Sequence, residues 1–252
     1  MTRYHRLPLT LTSVAGFAAL TVASASASAA PVDAVQLPAL PGHSVSLTDL
    51  TTDLDLLNPP SRPAADVDAL VAYSFGTRIE EGDDPDRGIV SPGPVNEQLA
   101  DAVMQARGGR DIPVYAQFEI AGVLQSTYGL DDVHVIDPVQ NEDGTVTYLS
   151  TDGVAKQVAD RMGSAVDTST VGVIAFQDHL WRSTYTSRVN GLHAFAVADV
   201  AMPSVYDTES GQEWTRSRDA YLPRDYAARL ALLAQVDTSN AATVLGSGAP
   251  TP

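Results

Sequence analysis

Five short apolar runs, each closed by loop signals and followed by a helix-forming stretch, restrict this chain more than any other feature. Residues 67–75 (VDALVAYSF), 112–118, 133–136, 170–176 (TVGVIAF) and 193–198 are rich in apolar residues with little polar alternation. Strands buried on both faces of a sheet have that pattern, because neither face meets water. Helix signals recur between them. Pro94 suits a first helical position, and Gly108-Gly109 stops a helix over 94–107. Further helices are expected to end near Gly129, to run from a Ser150 or Thr151 cap to Gly163, and to run from about Asp178 to Val189. A last helix covers roughly 218–235, and 141–144 reads as a turn. This alternation predicts an α/β fold: a Rossmann-like three-layer sandwich with a mostly parallel sheet of about five strands and helices on both faces. Right-handed crossovers then gather the strand-to-helix loops along one edge.

The ends differ from this centre. Arg3, His5 and Arg6 precede an uncharged apolar stretch at 7–22, and the small residues at 23–30 offer A-x-A cleavage sites. Ala27-Ser28-Ala29 is the best placed, since Pro31 disfavours cutting directly after Ala30. The apolar stretch is shorter than the ~20 residues of a spanning helix and is diluted by Thr, Ser, Pro and Gly. Residues 1–29 are therefore expected to be a cleaved secretory signal, 30–65 an extended Pro-rich leader, 66–236 the α/β domain and 237–252 a disordered tail. The expected location is extracytoplasmic in a bacterium, with no stable membrane insertion after cleavage.

Composition narrows the function classes. The chain has no cysteine, which removes disulfides, thiol nucleophiles, thiolate metal sites and lipid-modified cysteine anchors. Its formal charge of −16 becomes −18 when Arg3 and Arg6 leave with the signal. Such a field opposes binding to nucleic acid or to anionic lipid.

Ligands of open α/β sheets collect beyond the carboxyl ends of the strands, where helix amino termini present bare N–H groups. Three loops qualify. After the first strand come Ser74, Gly76, Thr77 and Arg78, with a tight turn, two hydroxyls and a cation; the same residues also fit an ordinary turn with a solvated arginine. After TVGVIAF come His179 and Arg182, three apart and so on one helical face. Arg182 can hold a phosphate or carboxylate in bidentate fashion, with His179 as donor or proton shuttle. The structural alternative is a helix capped by Asp178, with His179 and Arg182 in packing hydrogen bonds. Glu119 follows the second strand and can act as acid or base, although first turns attract Glu for dipole reasons alone.

Other patterns point elsewhere or nowhere. Glu80, Glu81, Asp83, Asp84 and Asp86 crowd one loop without EF-hand order, and fit a solvated loop. The histidines lack metal-site spacing, so no metal ligand is assigned, and no cofactor is named by any motif. Neither a G-x-S-x-G elbow nor a G-x-G-x-x-G after the first strand is present. Trp181 and Trp214 read as packing residues.

Several of these residues together carry a family likeness. Asp68-Ala69-Leu70-Val71-Ala72-Tyr73-Ser74-Phe75-Gly76 stands where a "DAIVVLGGG" strand would, and Val173 to Ser183 keeps the H-x-x-R pair of "VTS.(Y/F)H..RA". Ser150 to Ala155 echoes a "Thr…Asn" helix start, and 206–222, with Trp214, Thr215 and Arg216, matches the C-terminal region. Over about 66–235 the chain resembles the SanA/YdcF/ElyC-like family of bacterial α/β proteins. It departs in keeping only Gly76 of the first glycine cluster and in placing Phe118-Glu119 where a glycine is usual. The resemblance implies a cell-envelope and peptidoglycan-related role and a nucleotide-like ligand. The expected function is binding of a small anionic or phosphorylated ligand by Ser74, Gly76, Thr77, Arg78, His179 and Arg182, with Glu119 and His179 as the groups for any catalysis. The alternatives are a non-catalytic envelope scaffold, and a hydrolase in which Glu119 or a bound metal activates water.

Overall fold

The computed structural model describes residues 58–246, with side chains through 234. The expected signal (1–29), most of the leader and the last residues of the tail lie outside that range.

The α/β expectation holds. Six strands form one parallel sheet: β1 (Ser61–Arg62), β2 (Ala69–Ala72), β3 (Val114–Gln117), β4 (His134–Ile136), β7 (Thr170–Ile174) and β8 (His193–Val197), in the spatial order β1-β8-β7-β2-β3-β4. A separate antiparallel hairpin, β5 (Val139–Gln140) with β6 (Val146–Thr147), occupies the region read as a turn. The sixth strand is β1, in the segment read as leader; it has no hydrophobic pattern because both residues are exposed at the sheet edge.

Helices α1 (Gly93–Arg107), α2 (Phe118–Tyr128), α3 (Thr151–Met162) and α4 (Leu180–Val189) begin and end close to their sequence signals. Gly108 and Gly129 close α1 and α2 in the left-handed conformation, at φ of 57° and 63°, which glycine adopts without a Cβ penalty. The Ser150 hydroxyl accepts the Gly153 N–H and caps α3. The first turn of the expected fourth helix is instead a 3-10 turn, Gln177–His179, and Asp178 does not cap it. Helix α5 (Arg218–Gly246) continues past the expected stop near Gln235.

Along β2, side chains alternate between two apolar layers, as the period of a strand requires. Leu70 and Ala72 join the α1 and α2 side with Leu99, Val103, Ile120 and Leu124. Ala69 and Val71 join the α3 and α4 side with Val154, Val158 and Leu180. Every residue of β2 is buried, which is why the run reads as continuously apolar.

The chain builds outward from β2 through β3 to β4, then returns across the sheet to place β7 on the other side of β2. The direction of winding therefore reverses between β2 and β7. In open sheets this reversal opens a crevice at the carboxyl ends, because the loops after the two strands diverge toward opposite faces.

Candidate functional site

A cleft of about 260 Å³ lies at that reversal. It is lined by the ends of β2 (Ser74, Gly76) and β3 (Gln117, Glu119), the start of α3 (Tyr148 to Thr151), His179 and Arg182 after β7, and Gln212, Trp214, Thr215 and Tyr221 from the C-terminal segment. Ser74, Gly76, Glu119, His179 and Arg182, distant in sequence, thus come together. Residues at the starts of α2 and α3 line the cleft as well, and the positive end of a helix dipole favours negative charge.

The β2-end loop is held from below. Buried Asn96 accepts the Phe75 N–H at 2.9 Å and donates to the Gly76 and Pro92 carbonyls at 2.6 Å. The Gln117 side chain accepts the Ser74 N–H at 2.9 Å. Phe75 and Phe176 stack with ring centroids 4.1 Å apart, tying the ends of β2 and β7 together.

Thr77 and Arg78 depart from expectation. Arg78 makes a two-bond contact with Asp207 (2.8 and 2.9 Å) and reaches Glu209 at 2.8 Å. It faces away from the cleft because a carboxylate 129 residues along the chain claims its planar donor edge. Thr77 is buried, and its carbonyl accepts the Gly211 N–H at 2.7 Å. It holds Ser210 and Gly211 and does not line the cleft. Gly76, at φ +70°, makes room for the same segment. A Cβ there would lie 2.6 Å from Ser210 Oγ and 2.8 Å from Thr215 Oγ1.

Arg182 keeps its place in the site through a network invisible in local sequence. Its Nε donates to Asp225 Oδ1 at 2.6 Å, one terminal nitrogen donates to Thr151 Oγ1 at 2.5 Å and the other to Tyr221 Oη at 3.1 Å. A guanidinium has five N–H donors. These three bonds leave two, on a side chain 22 % exposed at the cleft wall. Asp225 also accepts Arg229 Nε at 2.6 Å and is itself fully buried. Two guanidiniums around one carboxylate leave the group cationic. Burial pushes the Asp225 carboxyl up, but the His179 ring, Arg229 and Arg182 outweigh it and hold it far below the usual carboxylate range.

His179 is neutral. Burial first, then the charge of Arg182, push its imidazole down to about 4. Its Nδ1 stands 3.9 Å from Asp225 Oδ1, too far for a hydrogen bond, and is buried without one. Glu119 shows the opposite shift. Burial pushes its carboxyl up to about 7, against its own backbone N–H and the Ser74 side chain. Glu119 Oε2 and Tyr148 Oη are also buried without hydrogen-bond partners. The Tyr148 hydroxyl is pushed up to about 12, by burial and then by Glu119. An unsatisfied buried polar atom costs ~1–3 kcal/mol, so Glu119 Oε2 and Tyr148 Oη together mark a place where something else supplies the bonds.

Sequence reading missed Tyr148, Asp225, Arg229 and Tyr221, and took Trp214 for a packing residue. Trp214 is 42 % exposed at the cleft, whereas Trp181 is buried. One signal was present: Tyr221, Asp225 and Arg229 recur every four residues, a polar stripe along one face of the last helix. Among the described residues, no group of three or more His, Asp or Glu is placed to hold a metal ion, and no helix is long and apolar enough to cross a membrane. No family model, curated protein or solved structure matches the chain.

Proposed function

We propose that the chain binds a small anionic or phosphorylated ligand in the cleft at the β2/β7 reversal. The observation that carries this reading is Arg182, fixed by Asp225, Thr151 and Tyr221, with two N–H donors left over at the cleft wall. The dipoles of α2 and α3, whose first residues line the cleft, add to the same field. His179 is uncharged near neutral pH, so the grip on the anion belongs to Arg182 and the backbone. The export signal read at 1–29 and the likeness to the SanA/YdcF/ElyC-like family support an extracytoplasmic, envelope-related role.

Hydrolysis is the second reading, and the elevated Glu119 carboxyl favours it. Near pH 7 such a group exists in both protonation states, as acid–base work requires. As base, Glu119 would take a proton from water while the water oxygen bonds to phosphorus; the ester P–O bond breaks, and the departing oxygen keeps the bonding pair and takes a proton from solvent. Loss of turnover of phosphorylated cell-wall precursors in Glu119→Gln, with binding intact, would establish this reading. A wild type that binds without turnover would leave the binding role alone.

Sulfate is the decisive probe for binding, because its charge is constant across the relevant pH range. Calorimetric titration should show binding by wild type and at least tenfold weakening in Arg182→Lys, which keeps the charge but loses the fork. Affinity should fall between pH 6 and 8 as Glu119 ionises, and Glu119→Gln should remove that fall. No binding by wild type, or full binding by Arg182→Lys, would overturn the proposal.

A further inference from the structure

Arg182 accounts for the anion but uses little of the cleft. Most of the lining, and all the exposed aromatic surface, is built for something else. The rim carries Trp214, 42 % exposed, on a 3-10 turn (Glu213–Thr215). That turn is firmly held: Ser210 Oγ and Thr215 Oγ1 are hydrogen-bonded at 2.7 Å, Thr215 Oγ1 donates to the Gln212 carbonyl at 2.8 Å, and Gly211 N–H reaches the Thr77 carbonyl. Arg224 lies over the indole, 5.4 Å from its centroid. A large apolar ring kept in water on a rigid turn, beside a polar cleft, has the character of a stacking platform.

The floor has a different chemistry. Glu119, 5 % exposed, offers Oε2 without a partner, and the Tyr148 hydroxyl is likewise buried and unbonded. The Gln117 amide, whose oxygen already accepts the Ser74 N–H, and the neutral His179 ring line the same cleft, so its walls mix acceptors and donors. Hydroxyl groups, each one donor and two acceptors, satisfy such a mixed set; a planar base offers a fixed and sparser edge. At about 260 Å³ the cleft falls just under the ~300–1,000 Å³ of sites for drug-sized molecules, which leaves room for one ring and one anionic group.

We infer that the ligand is a phosphorylated monosaccharide, its phosphate on Arg182, its ring against Trp214 and its hydroxyls on Glu119 and Tyr148. This rests on the anion-binding reading and adds the sugar to it. The hydroxyl contacts restore bonds to Glu119 Oε2 and Tyr148 Oη, which are otherwise desolvated at a cost. A hexose phosphate therefore binds more tightly than its anion alone, and selectivity resides in the 148 and 212–215 segments rather than in the glycine turn.

Calorimetric titration of the full chain with sulfate, glucose 1-phosphate, glucosamine 1-phosphate and uridine monophosphate tests the inference. At least one sugar phosphate should bind tenfold or more tightly than sulfate and exceed the nucleotide. Trp214→Ala should weaken the sugar phosphate about tenfold, the scale of one aromatic contact, and leave sulfate unchanged; Trp214→Phe should recover most of the loss. Tyr148→Phe should likewise act on the sugar phosphate alone. Sulfate binding with no gain from the sugar, or a preference for the nucleotide, would overturn the sugar assignment while leaving the anion site standing. Failure of sulfate itself would instead remove the reading beneath it.

Discussion

Replacing Glu119 by Gln should make the protein more stable above neutral pH, and the size of the gain follows from the site. Glu119 is almost fully buried, and burial raises its carboxyl from 4.5 to about 7. Between those values the folded protein holds a proton that the unfolded chain has released. Stability must then fall as pH rises through the window. At 1.36 kcal/mol per pH unit, the ionised carboxylate costs roughly 3 kcal/mol by pH 8. Gln keeps the shape and cannot ionise. Wild type alone would obscure this, because His179 runs the other way. Its imidazole is lowered from 6.5 to about 4, so over that interval the unfolded chain binds the extra proton and stability rises with pH. The two slopes nearly cancel. Urea unfolding of both proteins from pH 4 to 8 separates them. The variant should show the His179 rise unmasked, roughly 3 kcal/mol between pH 4 and 6.5. The difference between the proteins should open from about pH 4.5 and reach that same order by pH 8. A difference independent of pH, or a variant weaker than wild type at pH 8, would refute the burial argument and the acid–base role built on it.

Asp225→Ala removes the carboxylate shared by Arg182 and Arg229 and should cost about 3–5 kcal/mol in urea unfolding, the penalty of leaving buried charge uncompensated; a loss below about 1 kcal/mol would mean the guanidiniums re-solvate freely. Arg78→Ala breaks the contact with Asp207 outside the cleft, so sulfate and sugar-phosphate affinities by calorimetry should stay within about twofold of wild type.

The site shows where local signals stop. Ser74, Gly76, Glu119, His179 and Arg182 could be chosen because open α/β sheets place strand-end loops on one edge, whatever the side chains. That rule treats every residue of a loop alike. Arg78 therefore looked equivalent to Arg182, although one is bound by Asp207 and Glu209 outside the cleft and the other is held in the cleft wall by Asp225. Trp214 read as a packing residue; its exposure depends on a turn seated against Gly76 and Thr77 from a remote part of the chain.

Five of the six strands of the main sheet, and the limits of α1, α2 and α3, were legible in the sequence; β1, the β5–β6 hairpin and the far end of α5 were not. Apolar runs such as TVGVIAF, glycines at helix ends and the Ser150 cap act through the backbone within a few residues, so their consequences are readable in place. Tertiary structure alone decided the rest: the reversal between β2 and β7, the burial that shifts Glu119 and His179 in opposite directions, and the pairing of each cation with a distant carboxylate. Desolvation and ion pairing depend on what lies within a few ångströms in space, and here those neighbours come from segments up to 129 residues apart.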